Sequence, residues 1–158
     1  QNDGLDSARI FHISGAKNTR IYNNTIYVGP KQNLPLLLFN DWDGGSARDT
    51  FFYNNIFYVD GRVTYLFGKS QNTVFENNVF WGAHQNPPGD PKGSTNQPAL
   101  VKPGSGGDGF DSLNGYKLRD ASACVPGRVI RDNGGRDFFG NPVPTDRPPC
   151  VGAAQSAP

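Results

Sequence analysis

The sequence predicts an all-β protein whose short strands stack in parallel on one another. The main observation is a motif present three times, in which a polar residue and a threonine precede two adjacent asparagines within an apolar run. The copies are residues 18–27, 49–58 and 72–81. Units of this size stack because one copy alone cannot bury its apolar face. The alternation of side chains within each copy is typical of strands, so we expect a parallel β-helix.

The composition agrees with a turn-rich β protein and argues against some classes of function. The 158 residues include 20 glycines and 13 prolines, and Glu76 is the only glutamate, so strong helix formers are scarce. The net charge of +1 is scattered without a basic stripe, which argues against a nucleic-acid partner. The longest apolar run, residues 34–39, is far shorter than the roughly 20 residues that cross a bilayer, so no membrane contact is expected.

The two cysteines, Cys124 and Cys150, lie in a segment rich in glycine, proline and aspartate. A disulfide between them would close a loop of about 27 residues and contribute on the order of 3 kcal/mol. We expect this bond, which favours a secreted protein, and the alternative is a pair of free buried thiols. The chain opens on Gln1 and contains no methionine, so we also expect a processed chain.

Alignment of the three copies places similar side chains in rows. The rows expected to point inward are Thr19, Thr50 and Thr73; Ile21, Phe52 and Phe75; Asn23, Asn54 and Asn77; and Ile26, Phe57 and Phe80. A further row (Asn24, Asn55 and Asn78) falls at the corner between two strands, where asparagine tolerates a left-handed backbone. Stacked amides can bond one another from coil to coil, so we interpret all six asparagines as a structural ladder.

Each copy is preceded by another short strand. Residues 10–15, 36–41 and 64–69 align in common rows, and this alignment places Asp41 one rung from Lys69. A fourth, weaker coil would run from residue 99 to residue 118. We therefore expect coils in residues 1–98, and a last coil with an irregular, disulfide-stapled cap in residues 99–158 of the same domain.

The chain resembles right-handed parallel β-helix proteins of the pectate-lyase-like superfamily. The resemblance rests on the Asn-Thr and paired-asparagine phrases of the coils and on C-terminal matches at residues 98–101, 109–118, 132–142 and 150–153. It is specific for the fold, and it implies a polysaccharide ligand, usually an acidic or plant-type one. Family members usually have more coils and an N-terminal cap. We therefore expect the C-terminal part of a longer β-helix, whose partner is the N-terminal remainder or a self-associated copy.

The best candidate for chemistry is the cluster at residues 40–45. We predict Asp41, Asp43, Lys69, Arg48 and His12 as catalytic residues. In a hydrolase the carboxylates would supply acid and base, and in a lyase they would hold a cation while Lys69 or Arg48 removes a proton. The alternative is ordinary turn chemistry. No cofactor is expected, and calcium has weak support because Asp41 and Asp43 lack further oxygen ligands.

The two histidines have different settings. His12 falls in the row of Leu38 and Leu66, which favours a satisfied core histidine over a catalytic one. His84 lies in a glycine- and proline-rich stretch, residues 82–98, which is predicted as a long loop flanking a substrate groove.

Outward aromatic side chains are the candidates for substrate binding. Tyr27, Tyr58 and Trp81 should form one column, which either stacks on sugar rings or is covered by the C-terminal segment with Phe138 and Phe139. Three further candidates are Tyr22 and Tyr53, which form a second row with Glu76, and Trp42.

We expect a secreted polysaccharide lyase or glycoside hydrolase, or its C-terminal fragment. The alternative is a non-catalytic polysaccharide-binding or adhesion module, and a third interpretation is a fragment that caps a longer solenoid. Convergence of the predicted catalytic charges would favour an enzyme, and a flat aromatic strip would favour a binding module. The chain shows neither the Asp-Asp and Gly-His-Gly phrases of polygalacturonases nor the basic triad of pectate lyases.

Overall fold

The computed structural model describes residues 9–156. The strands are β1 (Phe11–Ser14), β2 (Arg20–Tyr22), β3 (Thr25–Val28), β4 (Asn33–Asn40), β5 (Arg48–Tyr53), β6 (Ile56–Leu66), β7 (Gln71–Glu76) and β8 (Val79–Gln85). Two short 3-10 helices, Phe110–Tyr116 and Ala121–Ala123, follow the strands. The protein is therefore predominantly β, as expected, while the segment 1–8 that bears on missing N-terminal coils lies outside the described residues.

The strands form two sheets, and every pairing between named strands is parallel. The first sheet has the order β1-β4-β6-β3, with β8 also paired to β6, and the second has the order β2-β5-β7. Strand β6 belongs to two rows at once, because Ile56 to Val59 pair with β3 whereas Arg62 to Leu66 pair with β4. A register shift between Val59 and Arg62 separates the two halves of its pairing with β8.

The observed registers confirm the rows of the sequence alignment. Phe52 pairs with Ile21 on one side and with Phe75 on the other, and the Phe52 and Phe75 rings stack with centroids 4.5 Å apart. Phe57 likewise pairs with Ile26 and with Phe80. These rings fill the core between the sheets. Burial of large aromatic side chains contributes most of the favourable free energy in such a core.

Hydrogen bonds join the second asparagine of each pair into a ladder. The Asn55 Oδ1 atom accepts bonds from the backbone N and the Nδ2 of Asn24, at 3.1 and 3.0 Å. The Asn78 Oδ1 atom accepts the same two bonds from Asn55, both at 2.9 Å. The remaining Nδ2 hydrogens reach backbone carbonyls, so the buried amides are satisfied.

The prediction of which asparagine turns the corner was wrong. The left-handed backbone occurs at the first member of each pair, Asn23, Asn54 and Asn77, with φ between 55° and 60°. This leaves the second member in position to align its amide with the next rung. The polar residue before each aligned threonine also has a positive φ, at Asn18, Asp49 and Asn72, so each copy contains two such bends.

A carboxylate ends the ladder. The Asp90 Oδ2 atom accepts bonds from the backbone N and the Nδ2 of Asn78, both at 2.9 Å, and Oδ1 accepts from the backbone N of Asn77. Ser94 then bridges Val79 in parallel. Residues 90–94 therefore cover the corner between β7 and β8 and the start of β8.

The C-terminal segment is irregular and is fastened to the strands. Cys124 and Cys150 form the predicted disulfide, and Asn54 bonds both the backbone N and the carbonyl of Arg128. A Cβ at Gly127 would lie 2.7 Å from the Asn54 amide, so glycine is required for this approach. The fourth parallel coil is not formed, because Leu100 and Leu118 make an antiparallel bridge.

The ladder predicts a position-dependent loss of stability. Asn55 is fully buried and its amide makes four hydrogen bonds. Asn55→Ala leaves several buried partners unsatisfied and should lower the free energy of unfolding by about 3 kcal/mol or more. Asn24→Ala, at the exposed end of the ladder, is the matched control and should cost about 1 kcal/mol or less. Urea unfolding measures both, and equal losses would contradict the ladder's role.

Candidate functional site

Asp41 and Lys69 meet at the surface, where β4 ends. The Lys69 Nζ atom lies 3.3 Å from Asp41 Oδ2, and the Ser46 hydroxyl donates to Asp41 Oδ1 at 2.8 Å. The Ser46 hydrogen bond, and after it the Lys69 ammonium, hold the pKa of Asp41 below its usual range. Asp41 is therefore ionised at neutral pH, which suits the binding of a hydroxyl or cation better than the donation of a proton.

Asp43 lies at the tip of a tight turn that carries an exposed tryptophan. Trp42 and Gly45 exchange two backbone hydrogen bonds of 2.9 Å, and the two residues between them, Asp43 and Gly44, have φ of 50° and 73°. This is the Asp-Gly type of two-residue hairpin turn. The turn interpretation therefore holds for Asp43, and the hairpin presents Trp42 with 72 % of its surface exposed.

His12 faces solvent beside the same cluster, so its interpretation as a core histidine was wrong. The row of His12, Leu38 and Leu66 is correct in register, but this row points outward. The His12 Nε2 atom lies 3.1 Å from both Asn40 Nδ2 and Ser14 Oγ. The His12 ring is therefore held in place by two polar neighbours at the surface.

Arg48 does not join this cluster. It begins β5 in the second sheet, pairs with Gln71 and donates its backbone N to the carbonyl of Ala16. Within residues 9–156, Lys69 is the cation that pairs with Asp41. The structure thus brings Asp41 to Lys69, with Trp42 and Asp43 on the adjoining hairpin, and it leaves Arg48 out.

His84 is not on a groove, because it points into the core from β8. Its Nδ1 atom lies 2.7 Å from the Tyr65 hydroxyl, and Nε2 lies 3.1 Å from the carbonyl oxygen of Trp81. Burial lowers the pKa of His84, so the ring is neutral at physiological pH. The Nε2 proton goes to the carbonyl of Trp81 and the Tyr65 hydroxyl donates to Nδ1, which makes His84 a satisfied structural residue.

The column of Tyr27, Tyr58 and Trp81 is covered, as the alternative interpretation held. Tyr58 is only 4 % exposed, and the column packs against Leu100, Tyr116, Leu118, Val125 and Val151. Burial and a hydrogen bond to Asp60 raise the pKa of Tyr27 to about 12. The cover differs from the expected one, since Phe138 remains 54 % exposed and, with Phe139, lines a cleft of about 450 Å³ beside Tyr27.

Tyr22 and Tyr53, of the row that ends in Glu76, line one wall of a groove. The Arg128 guanidinium lies 4.4 Å from the centre of the Tyr53 ring and pairs with Glu76, which also pairs with Lys92 at 2.7 Å. The Tyr22 hydroxyl donates to the carbonyl of Asp132 at 3.1 Å. Sequence reasoning found the tyrosines and missed Arg128 and Arg131, because residues 128–132 are more than 50 positions away from the strands they contact.

Two further properties bear on cofactors and membranes. Within residues 9–156, no group of three His, Cys, Asp or Glu side chains is placed to hold a metal ion. In that same part of the chain, no helix has the length and apolar character needed to cross a membrane.

The Glu76 ion pairs predict an acid-sensitive stability. The hydrogen bond from Lys92, followed by that from Arg128, lowers the pKa of Glu76 in the folded protein. The ion pairs of Glu76 therefore add to the free energy of unfolding at neutral pH. This contribution is lost as the pH falls below the pKa of glutamate in the unfolded chain, about 4.3, and on through the lower pKa of the folded state. Glu76→Gln should lower the urea midpoint at pH 7 and make its decrease toward acid shallower. Asp111→Asn, on an exposed residue, is the control, and an unchanged acid profile in Glu76→Gln would contradict the assignment.

The two surfaces offer a ligand different chemistry. The hairpin surface combines an exposed indole with an ionised carboxylate, an ammonium and an imidazole. The groove combines tyrosine rings with guanidinium groups.

No protein-family model matches this chain, and no curated protein matches it either.

Proposed function

We propose that this chain is a secreted, polysaccharide-binding parallel β-helix, and that sugar binds at the surface made by His12, Asn40, Asp41, Trp42 and Lys69. The exposure of Trp42 is the observation that carries this proposal. Trp42 is 72 % exposed on a tight hairpin next to the ion pair of Asp41 and Lys69, and an exposed aromatic ring beside polar groups suits the mixed surface of a sugar. The disulfide between Cys124 and Cys150 agrees with an extracellular location.

The strand pairings support the β-helix part of the proposal. The strands pair in chain order in three separate rows. These rows are β1, β4 and the second half of β6; β2, β5 and β7; and β3, the first half of β6 and β8. One strand of each row per coil is the arrangement of a solenoid. Parallel crossovers are almost always right-handed, which favours the right-handed form and membership of the pectate-lyase-like superfamily.

The chemistry of the hairpin surface supports binding. The indole of Trp42 can pack on the apolar face of a sugar ring, while Asp41, His12 and Asn40 offer an acceptor, a ring nitrogen and an amide to its hydroxyl groups. Ser46 and Lys69 lower the pKa of Asp41, so this side chain is poorly suited to be the protonated carboxyl that glycoside hydrolysis needs. The lowered pKa of Asp41 therefore favours sugar binding over glycoside hydrolysis at this surface.

A polysaccharide lyase or glycoside hydrolase is the second candidate. The observation that favours it is the 3.3 Å contact between Lys69 and Asp41, which sets a lysine side chain beside a carboxylate on an exposed surface. As an enzyme, the protein would act through Asp41, Asp43 and Lys69, with calcium as a weakly supported cofactor.

A partner at the first coil is also part of the proposal. Among residues 9–156, β1, β2 and β3 each pair with a strand on one side. The N-terminal part of a longer β-helix, or a self-associated copy, would cover these edges.

Trp42→Ala tests the binding surface. Loss of the ring contact should weaken binding to the recognised polysaccharide by about tenfold, which corresponds to about 1.4 kcal/mol, without a change in the urea midpoint. Phe110→Ala removes an aromatic side chain that is 54 % exposed elsewhere and should leave the affinity unchanged. Isothermal titration with neutral and acidic oligosaccharides measures both. Equal affinity of Trp42→Ala and the unchanged protein would overturn the proposed site.

Product analysis by mass spectrometry decides between binding and catalysis. Unsaturated uronic ends would establish a lyase, and saturated fragments would establish a hydrolase. In either case Asp41→Ala combined with Asp43→Ala should abolish the products and leave folding intact, because both side chains are exposed. Binding without products supports the proposed function, whereas neither binding nor products would contradict it.

A further inference from the structure

We propose a second binding site, for an anionic sugar, in the groove between the second sheet and residues 128–132. Its lining includes Arg20, Tyr22, Tyr53, Arg128 and Arg131. The groove lies on a different sheet from the Trp42 hairpin, and it stands independently of whether that hairpin binds sugar.

One wall of the groove is a flat surface of paired strands. Arg20 pairs with Phe51 and Tyr22 pairs with Tyr53 across β2 and β5, so alternate outward positions place two tyrosines beside an arginine. The Phe51 and Tyr53 rings are stacked with centroids 5.8 Å apart. The rings of Tyr22, Phe51 and Tyr53 are only partly buried, and although Arg128 covers one face of Tyr53, their exposed parts are within reach of a ligand.

The opposite wall is backbone that is fixed in place. Asn54 holds the N and O atoms of Arg128 at 2.6 and 2.8 Å, and the Tyr22 hydroxyl binds the carbonyl of Asp132. The groove between the walls has a volume of about 340 Å³, within the range of small-molecule sites. Because both walls are anchored, a ligand would not have to order this segment, which favours affinity.

The charge of the groove is positive. Arg128 is neutralised by its ion pair with Glu76. Arg20 and Arg131 line the same groove, and neither forms an ion pair within residues 9–156. Asp132 is the acidic residue of the lining, and its carboxylate offsets one of these two charges, so the groove keeps a net charge of about +1. Two guanidinium groups therefore face the groove without an ion-paired carboxylate in the described part of the chain.

Guanidinium groups beside aromatic rings select a particular ligand chemistry. The planar fork of arginine matches the oxygens of a carboxylate or a sulfate with two parallel hydrogen bonds. The tyrosine rings match the apolar face of a pyranose. A sugar that carries a carboxylate or a sulfate satisfies both halves of the groove, whereas a neutral sugar leaves the arginines unused.

Titration calorimetry of the disulfide-bonded protein with three oligosaccharides tests the site: an oligogalacturonate, a sulfated oligosaccharide and a neutral glucan. At least one anionic probe should bind, and Arg20→Ala combined with Arg131→Ala should weaken its binding at least tenfold. The control is Arg62→Ala combined with Arg147→Ala, which removes the same charge from exposed positions outside the groove. Preference for the uronate or for the sulfate identifies the anionic group.

Three results would overturn the second site. One is an equal loss of affinity in the control pair, which would indicate unspecific charge attraction. Another is binding of the neutral glucan as tightly as the anionic probes. The third is the absence of binding by either anionic probe. Trp42→Ala separates the two proposals, because binding in the groove should persist in that variant even where binding at the hairpin is lost.

Discussion

The chain of hydrogen bonds from Asn24 through Asn55 and Asn78 to Asp90 is the interaction on which the rest of the structure depends. These bonds fix the register between neighbouring rungs, because the amides meet only when the rungs are aligned. A slip of one residue would turn every inward phenylalanine to solvent. The same register sets Asp41 beside Lys69 and Tyr22 beside Tyr53, so both candidate surfaces follow from buried amides some distance away.

Much of the fold was predictable because its information is local and repeated. The spacing of threonines and asparagines predicted the partners of Phe52 and Phe57, and it placed Asp41 one rung from Lys69, which the 3.3 Å contact confirms. Details within a bend were harder to predict. Both asparagines of a pair tolerate a left-handed backbone, so composition alone did not distinguish the residue that bends from the residue that bonds.

The sites were less predictable because they depend on which way a side chain points and on contacts distant in the chain. His12 and His84 exchanged their expected places: His12 lies in the expected row, but that row faces solvent, and β8 continues far enough to turn His84 inward. The groove beside Tyr22 needs Arg131 from a segment with no periodicity. Only the paths of the strands and of the irregular segment together bring these residues to one place.

The ladder also has a direction. The amide oxygens of Asn55 and Asn78 accept hydrogen bonds from the preceding rung, and the last acceptor is the carboxylate of Asp90, which has no N–H group to donate further. Asp90 therefore ends the ladder, because its side chain has no N–H group that could donate to the amide oxygen of a further asparagine rung. A stack of parallel strands with two equivalent ends could lengthen indefinitely, as fibrils do, whereas in this one the asparagine ladder runs in a single direction, so its two ends differ chemically.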